Sequence, residues 1–266
     1  MDTSPMTGNA GPAPLVTGAA LAAFTQRLAE RFAPEQVILF GSQARGEARW
    51  DSDADILVIL PFQGRRQDTV QAMLSSCVPT FPLDLHLRRP EEIAPRYRWG
   101  DPFMREALDH GRLLHGAALS VPPTKRLTPA RNPVVDEWLE RAERHWRMAE
   151  LLPDLPPGYL SGLFHLEQCL ETYLRAALIA QGIPSRRCRD LQTLSEQLGT
   201  TIPGWRPDRD ALNTLTQAAL AYRDPGEGHP EPSQDMAWAI AQAGPLRACL
   251  RRWFDSLEVM EPRELA

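Results

Sequence analysis

Two different hydrophobic periodicities divide the chain. In the first third, short unbroken apolar runs stop at glycine or proline: Val37-Ile38-Leu39-Phe40 ends at Gly41, and Ile56 to Leu60 ends at Pro61. Runs of that length and bounding predict buried strands. A third strand is predicted at Leu83-Asp84-Leu85-His86-Leu87, where apolar and polar positions alternate between Pro82 and Pro90. Ahead of these, Leu21, Phe24, Leu28 and Phe32 recur at helical spacing, which predicts a helix from Thr17 that Pro34 ends. The stretch from Gln43 to Trp50 reads as a short helix or turn joining the first two strands as neighbours.

Beyond Gly111-Arg112-Leu113-Leu114-His115 the prolines and aperiodic composition of residues 116–133 predict a linker. After it only helical spacing remains. Val135, Trp138, Leu139, Ala142, Trp146 and Ala149 make one face; Leu163, Leu166, Leu170, Tyr173, Leu174, Ala177 and Leu178 make another, closed by Gly182. Shorter faces follow at Leu191, Leu194 and Leu198 and at Leu212, Leu215, Ala219 and Tyr222. A last helix carries Met236 to Leu257, with Ser233 as expected N-cap and a kink expected at Gly244-Pro245. The predicted fold is therefore an α+β N-terminal domain, a small mixed sheet with helices over 17–115, followed by an all-α helical bundle over 134–258. Residues 1–16 and 259–266 are expected to be tails, the first because its mixture of Pro, Gly, Ser and Thr has nothing to bury.

Composition narrows the function classes. With 43% apolar residues the 266-residue chain can build two modest cores. A net charge of −5 argues against a broad cationic surface for nucleic acid, so that partner is not the default. The four cysteines, Cys77, Cys169, Cys188 and Cys249, lack metal-ligand or disulfide-framework spacing and read as buried cytosolic thiols. No stretch approaches the roughly 20 apolar residues of a membrane span, so a cytoplasmic protein with no membrane partner is expected.

The candidate chemistry sits at the ends of the predicted strands. A strand that runs into Gly41-Ser42 can turn sharply and bring N–H groups and a hydroxyl against a phosphate. Asp53 and Asp55, two apart on an entering strand, point their carboxylates to one side, as a hard cation such as Mg2+ requires. Asp84 interrupts an apolar pattern, where an unpaired carboxylate is costly, and should face a metal, a cation or water. Three acids on one sheet face suit one or two magnesium ions and phosphoryl-type chemistry with pyrophosphate as leaving group, Asp84 acting as base or as ligand of the second ion. His86 is expected on the opposite sheet face and outside the site. Arg45 is divided between a phosphate contact and a solvated charge.

The segment LFGSQARGEARWDSDADILVIL resembles the Gly-Ser-x-Ala-Arg-Gly and Ser-Asp-x-Asp signature of minimal nucleotidyltransferases in the polymerase-beta superfamily. The likeness extends through PLDLHL to EALDHGRLLHG. It implies that Gly41 and Ser42, with Arg45, bind nucleotide phosphates, that Asp53 and Asp55 hold the metal, and that Asp84 takes the third acidic role. The implied activity is Mg2+-dependent transfer of a nucleoside monophosphate from a nucleoside triphosphate, with ATP as expected donor, to a hydroxyl on a protein or on a small molecule such as an aminoglycoside.

The segments WLERAERHWRMAELL and FHLEQCLETYLRAALIAQGIPSRRCRDL resemble HEPN domains, bundles that commonly accompany such transferases. That resemblance implies acceptor selection or homodimerisation by the helical half. Arg223 and His229 satisfy the Arg-to-His spacing of HEPN ribonucleases, while Arg189 stands where the family commonly has His before Asp-Leu. Two alternatives stay open: a regulatory module of toxin–antitoxin type that binds nucleotide without turnover, and a ribonuclease using Arg223 and His229. His165 and Glu171 are expected to be solvated or to pack helices, a bundle carboxylate serving as base being the other option. The tryptophans are expected in the core.

Overall fold

A computed structural model describes residues 15–119, 121, 129–152, 159–184, 188–223 and 235–259. The chain divides into two compact units, Met1–Arg98 with Phe103–Pro122, and Trp99–Pro102 with Pro123–Ala266. The first is a small mixed sheet with helices and the second is helical.

In the first unit α1 spans Gly18–Phe32, capped where Thr17 Oγ1 accepts from Ala20 N and closed by Ala33 in the left-handed region at φ 45°. The strands are β1 (Gln36–Phe40), β2 (Ala54–Ile59), β3 (Leu83–Arg88) and β4 (Arg112–Gly116), in the order β3-β2-β1-β4. β1 runs antiparallel to both β2 and β4, whereas β3 lies parallel to β2. The remaining helices are α2 (Gly41–Arg45), α3 (Arg66–Ser76), α4 (Pro90–Arg98) and α5 (Pro102–His110).

Strand parity sorts the side chains into two cores. Val37, Leu39, Ile56 and Val58 pack with Leu21, Phe24 and Leu28 of α1 and Met73 of α3. Ile38, Phe40, Leu57 and Ile59 pack on the other face with Ile93 and Tyr97 of α4 and Met104 and Ala107 of α5. At about 25 cal/mol per Å2 of apolar area, burial on both faces explains why β1 and β2 read as unbroken apolar runs. The sequence pattern did not indicate β4, α3, α4 or α5. The expected linker 116–133 is shortened at both ends, since Gly116 closes β4 and Pro133 opens the next helix; residues 120 and 122–128 lie outside the described residues. So do residues 1–14 of the expected N-terminal tail, while Val16 is buried against the sheet core.

The second unit contains α6 (Pro133–Glu150), α7 (Tyr159–Ala180), α8 (Leu191–Leu198), α9 (Arg209–Arg223) and α10 (Met236–Asp255). Asn132 caps α6 by accepting from Val135 N, with Pro133 in the first turn where its missing N–H costs nothing. α7 is the central element: Leu166, Leu170, Leu174, Ala177 and Leu178 are wholly buried. The cap of α10 is Asp235, which accepts from Trp238 N at 2.8 Å; Ser233, the expected cap, lies outside the described residues. α10 runs on through Pro245. Val259, expected in the C-terminal tail, bridges to Arg131, and residues 260–266 lie outside the described residues. Trp146, Trp205 and Trp253 are core residues, and no cysteine is in a disulfide among the described residues.

Candidate active site

The sheet register brings the predicted residues into line. Phe40 is opposite Asp55, and Asp55 is opposite Asp84, so a single row crosses three strands on the face that carries α4 and α5. Gly41 follows Phe40 at the head of α2 with φ 71°, a conformation open to glycine at no steric cost. A β-carbon there would meet Asp55 Oδ2 at 2.1 Å. The glycine thus leaves the carboxylate its place beside the turn. Ser42, half-buried, is the second residue of α2, and its carbonyl accepts from Glu47 N at 3.0 Å. The loop behind it is tied by Gln43 Nε2 donating to Ser52 O at 3.0 Å and by Arg49 N donating to Ser52 Oγ at 2.8 Å.

Ligand atoms of Asp55, Asp84 and His86 lie within 4.8 Å of one another, a spacing that a single cation can bridge. His86 Nε2 is 3.2 Å from Asp84 Oδ2, and its ring packs between Phe40 and Phe103. The expectation that His86 faces away is therefore corrected: positions two apart on a strand share a face, so His86 joins Asp84. Asp53 precedes β2 by one residue and is not in the three-residue cluster, although its charge reaches Asp55. Burial pushes the Asp55 carboxyl above its usual value, and the neighbouring Asp53 and Asp84 charges push it further, against opposing pulls from His86 and Arg45. A carboxylate raised in this way gains by binding a divalent cation, whose charge favours the ionised form.

Arg45 is held at both ends of its guanidinium. Nε pairs with Glu47 Oε2 and Nη1 with Glu106 Oε1 of α5, both at 2.6 Å. Sequence reading missed Glu106, which lies 61 residues from Arg45 and has no local signal.

Residues 21–111 match the family model described as a nucleotidyltransferase domain, and residues 135–253 match the HEPN domain model. The chain is a nucleotidyltransferase domain followed by a HEPN domain. No curated protein matches it. Among solved structures it is similar to the spectinomycin adenyltransferase AAD(9) from Enterococcus faecialis, crystallised with ATP and spectinomycin. That likeness has 11% identity and a TM-score of 0.45, and covers 89% of this chain and 100% of the other. Among the described residues no helix is long and apolar enough to cross a membrane.

The HEPN unit carries its own polar cluster. Glu167 on α7 is fully buried, and its Oε2 accepts from Arg223 Nη2 at 3.2 Å and Gln168 Nε2 at 2.8 Å. Arg223 also reaches Glu171 at 3.8 Å and lies over the Phe164 ring. Glu171, expected to be solvated or to pack helices, is buried and pairs with Arg175 at 2.8 Å. His165 Nδ1 contacts His145 Nδ1 at 3.0 Å. His229 lies outside the described residues.

Proposed function

We propose that the nucleotidyltransferase domain transfers a nucleoside monophosphate from a nucleoside triphosphate, with ATP as donor, to a hydroxyl group. The observation that carries this reading is the row of Asp55 and Asp84 beside Gly41 within the matched nucleotidyltransferase domain. Asp53 and Asp55 would hold the cation, and the Gly41-Ser42 turn, with its backbone N–H groups and the Ser42 hydroxyl, would receive the phosphates. Magnesium, when bound, offsets the charge that grows on the phosphate oxygens and polarises the phosphorus. Asp84, more than half exposed and 3.2 Å from His86 Nε2, accepts the proton of the attacking hydroxyl. A new P–O ester bond forms at the α-phosphorus, the α–β anhydride bond breaks, and pyrophosphate leaves. Arg45 belongs to the phosphate side of this site, and Glu106 orients it.

Incubation of the full chain with α-phosphate-labelled ATP, Mg2+ and cell lysate tests the reading. Label transfer with pyrophosphate release is expected for the wild type and not for the Asp53→Ala/Asp55→Ala double variant. Transfer that survives in the double variant sinks the acid mechanism. Tight ATP binding without pyrophosphate release would favour the regulatory alternative, of the toxin–antitoxin kind. For the ribonuclease alternative, Arg223 pairs with Glu167 and Glu171, while His229 lies outside the described residues.

A further inference from the structure

We propose that His86 is a direct cation ligand, and that Asp55, Asp84 and His86 together form a subsite that takes Mn2+ in preference to Mg2+. The nucleotidyltransferase likeness implies carboxylates and magnesium at this place; the nitrogen donor comes from this chain's own β3. The inference deepens the transfer reading above and rests on its cation site.

The first observation is that β3 turns two donors to one side. Asp84 and His86 are two apart on the strand and share a face, and Asp84 is opposite Asp55 across the parallel pair of β2 and β3. Ligand atoms of all three residues lie within 4.8 Å of one another, and His86 Nε2 is 3.2 Å from Asp84 Oδ2. Neighbouring ligands at about 2.1 Å from one octahedral ion are about 3 Å apart. The imidazole nitrogen and the carboxylate oxygen therefore already stand at the spacing of adjacent ligands.

The second observation is the seating of the imidazole. Its ring centroid is 5.5 Å from that of Phe40 on β1 and 4.7 Å from that of Phe103 on α5, contacts that hold the ring without engaging a nitrogen. The His86 side chain is 29% exposed and that of Asp84 is 55% exposed, so the donors open to solvent and an ion among them can keep water ligands. Arg45, whose charge reaches Asp55, is tied to Glu47 and Glu106. A cation supplies the positive charge that Arg45 shares with those two acids.

Donor chemistry selects the ion. Mg2+ is a hard cation that takes oxygen ligands and gives up its water reluctantly, so an imidazole adds little to its binding. Mn2+ is suited by the same carboxylate and water oxygens but is a first-row transition ion, for which an imidazole nitrogen is a competent ligand. Two carboxylates to one imidazole, open to water, is poorer in nitrogen than the closed sets that zinc favours. Asp55 and Asp84 thus supply the oxygens that both Mg2+ and Mn2+ use, and His86 supplies the difference between them. Asp84 has two carboxylate oxygens, so a cation on one leaves the other for the proton of the attacking hydroxyl.

The experiment titrates the full chain, without nucleotide, with Mn2+ and with Mg2+ in competition, and records pulsed electron paramagnetic resonance of the bound Mn2+. Wild type should bind Mn2+ at least about tenfold more tightly than Mg2+ and show coupling of a nitrogen to the ion. His86→Gln, and His86→Phe, which keeps an aromatic ring between Phe40 and Phe103, should each abolish the coupling and weaken Mn2+ about tenfold or more, with Mg2+ affinity nearly unchanged. Circular dichroism checks that both variants are folded, and the wild-type coupling is read without either. A His86 that only orients Asp84 by a hydrogen bond gives no coupling and, when replaced, lowers both affinities alike. That result overturns the proposal, as does coupling that persists in both variants. Pyrophosphate release from ATP with Mg2+, measured on the same wild type, separates the two readings. Release without nitrogen coupling keeps the transfer reading and removes the His86 ligand; coupling without release does the reverse.

Discussion

Gly41 and Asp55 are in direct contact: a β-carbon built on the glycine would lie 2.1 Å from Asp55 Oδ2 and 2.9 Å from its Cγ. The turn that is expected to receive phosphate and the acid that is expected to hold the cation are therefore fitted to one another across β1 and β2. Neither can be altered alone.

Gly41→Ala tests that fit. Holding alanine at φ 71° costs about 1–2 kcal/mol, and its methyl must also displace the Asp55 carboxylate. Nucleotidyl transfer should fall by about a hundredfold or more, because a misplacement of that order in a positioning group has that consequence. The domain should still fold, as judged by circular dichroism. Near-normal transfer by the variant would mean that the carboxylate in this position is dispensable.

Asp55→Asn tests the cation. Because burial and the charges of Asp53 and Asp84 raise the Asp55 carboxyl in the folded state, the folded form binds that proton more tightly than the unfolded chain does. The stabilisation that goes with that proton is present below the unfolded value of 3.8 and is lost as pH rises through the folded value. Above it, the cation-free wild type carries a destabilising charge that asparagine lacks. The variant should therefore melt higher than wild type at pH 7 without metal, with the difference shrinking in acid. Millimolar Mg2+ should raise the wild-type midpoint and leave the variant unchanged. Identical midpoints in all conditions would show that no cation binds beside Asp55.

The strands and acids of this site were legible because their signals are local. An apolar run that stops at Gly41, an acid pair two apart, and a lone Asp84 among leucines each announce themselves within a few residues. The elements that were missed lack such signals. α4 contains Pro90 and Pro95, α5 opens with Pro102, α3 scatters Val70 and Met73 among polar residues, and β4 is a half-exposed edge strand of five residues. Their fold comes from packing on or pairing with the rest of the sheet, which tertiary contact and not propensity decides. The assignment of His86 to the far face fails on strand parity, which a count from Asp84 settles. Glu106 and Glu167 could not be singled out, since an acid on a helix reads as solvated until its neighbours in space are known.

Glu106 provides the next test. Its Oε1 pairs with Arg45 at 2.6 Å in a half-buried setting. If Arg45 contacts nucleotide phosphate, its aim depends on this tether. Glu106→Gln should raise the KM for ATP about tenfold with kcat changed less, the pattern of lost ground-state binding. Glu106→Asp, with a shorter reach, should fall between the two. A drop in kcat at unchanged KM would place Arg45 in the chemical step instead.

Glu167 yields a prediction independent of the transfer chemistry. Burial pushes its carboxyl up to about 7 from the usual 4.5, the charge of Glu171 adds to the rise, and Gln168, Arg223 and Arg189 oppose it. With the folded value above the unfolded one, the stabilisation carried by the bound proton is complete below pH 4.5 and is lost as pH rises through about 7. One proton held by the folded state alone gives a slope of at most about 1.4 kcal/mol per pH unit inside that window. Glu167→Gln keeps the shape and a hydrogen bond to Arg223 but cannot titrate. Its urea midpoint should fall less than that of wild type between pH 5 and 8, so that the two curves converge in acid and separate in base. Arg223→Ala removes a guanidinium that opposes the charge, and should cost about 3 kcal/mol at pH 8, where Glu167 is ionised, but much less at pH 5, where it can take a proton. Equal costs at the two pH values would show that the charge of Glu167 does not change between them.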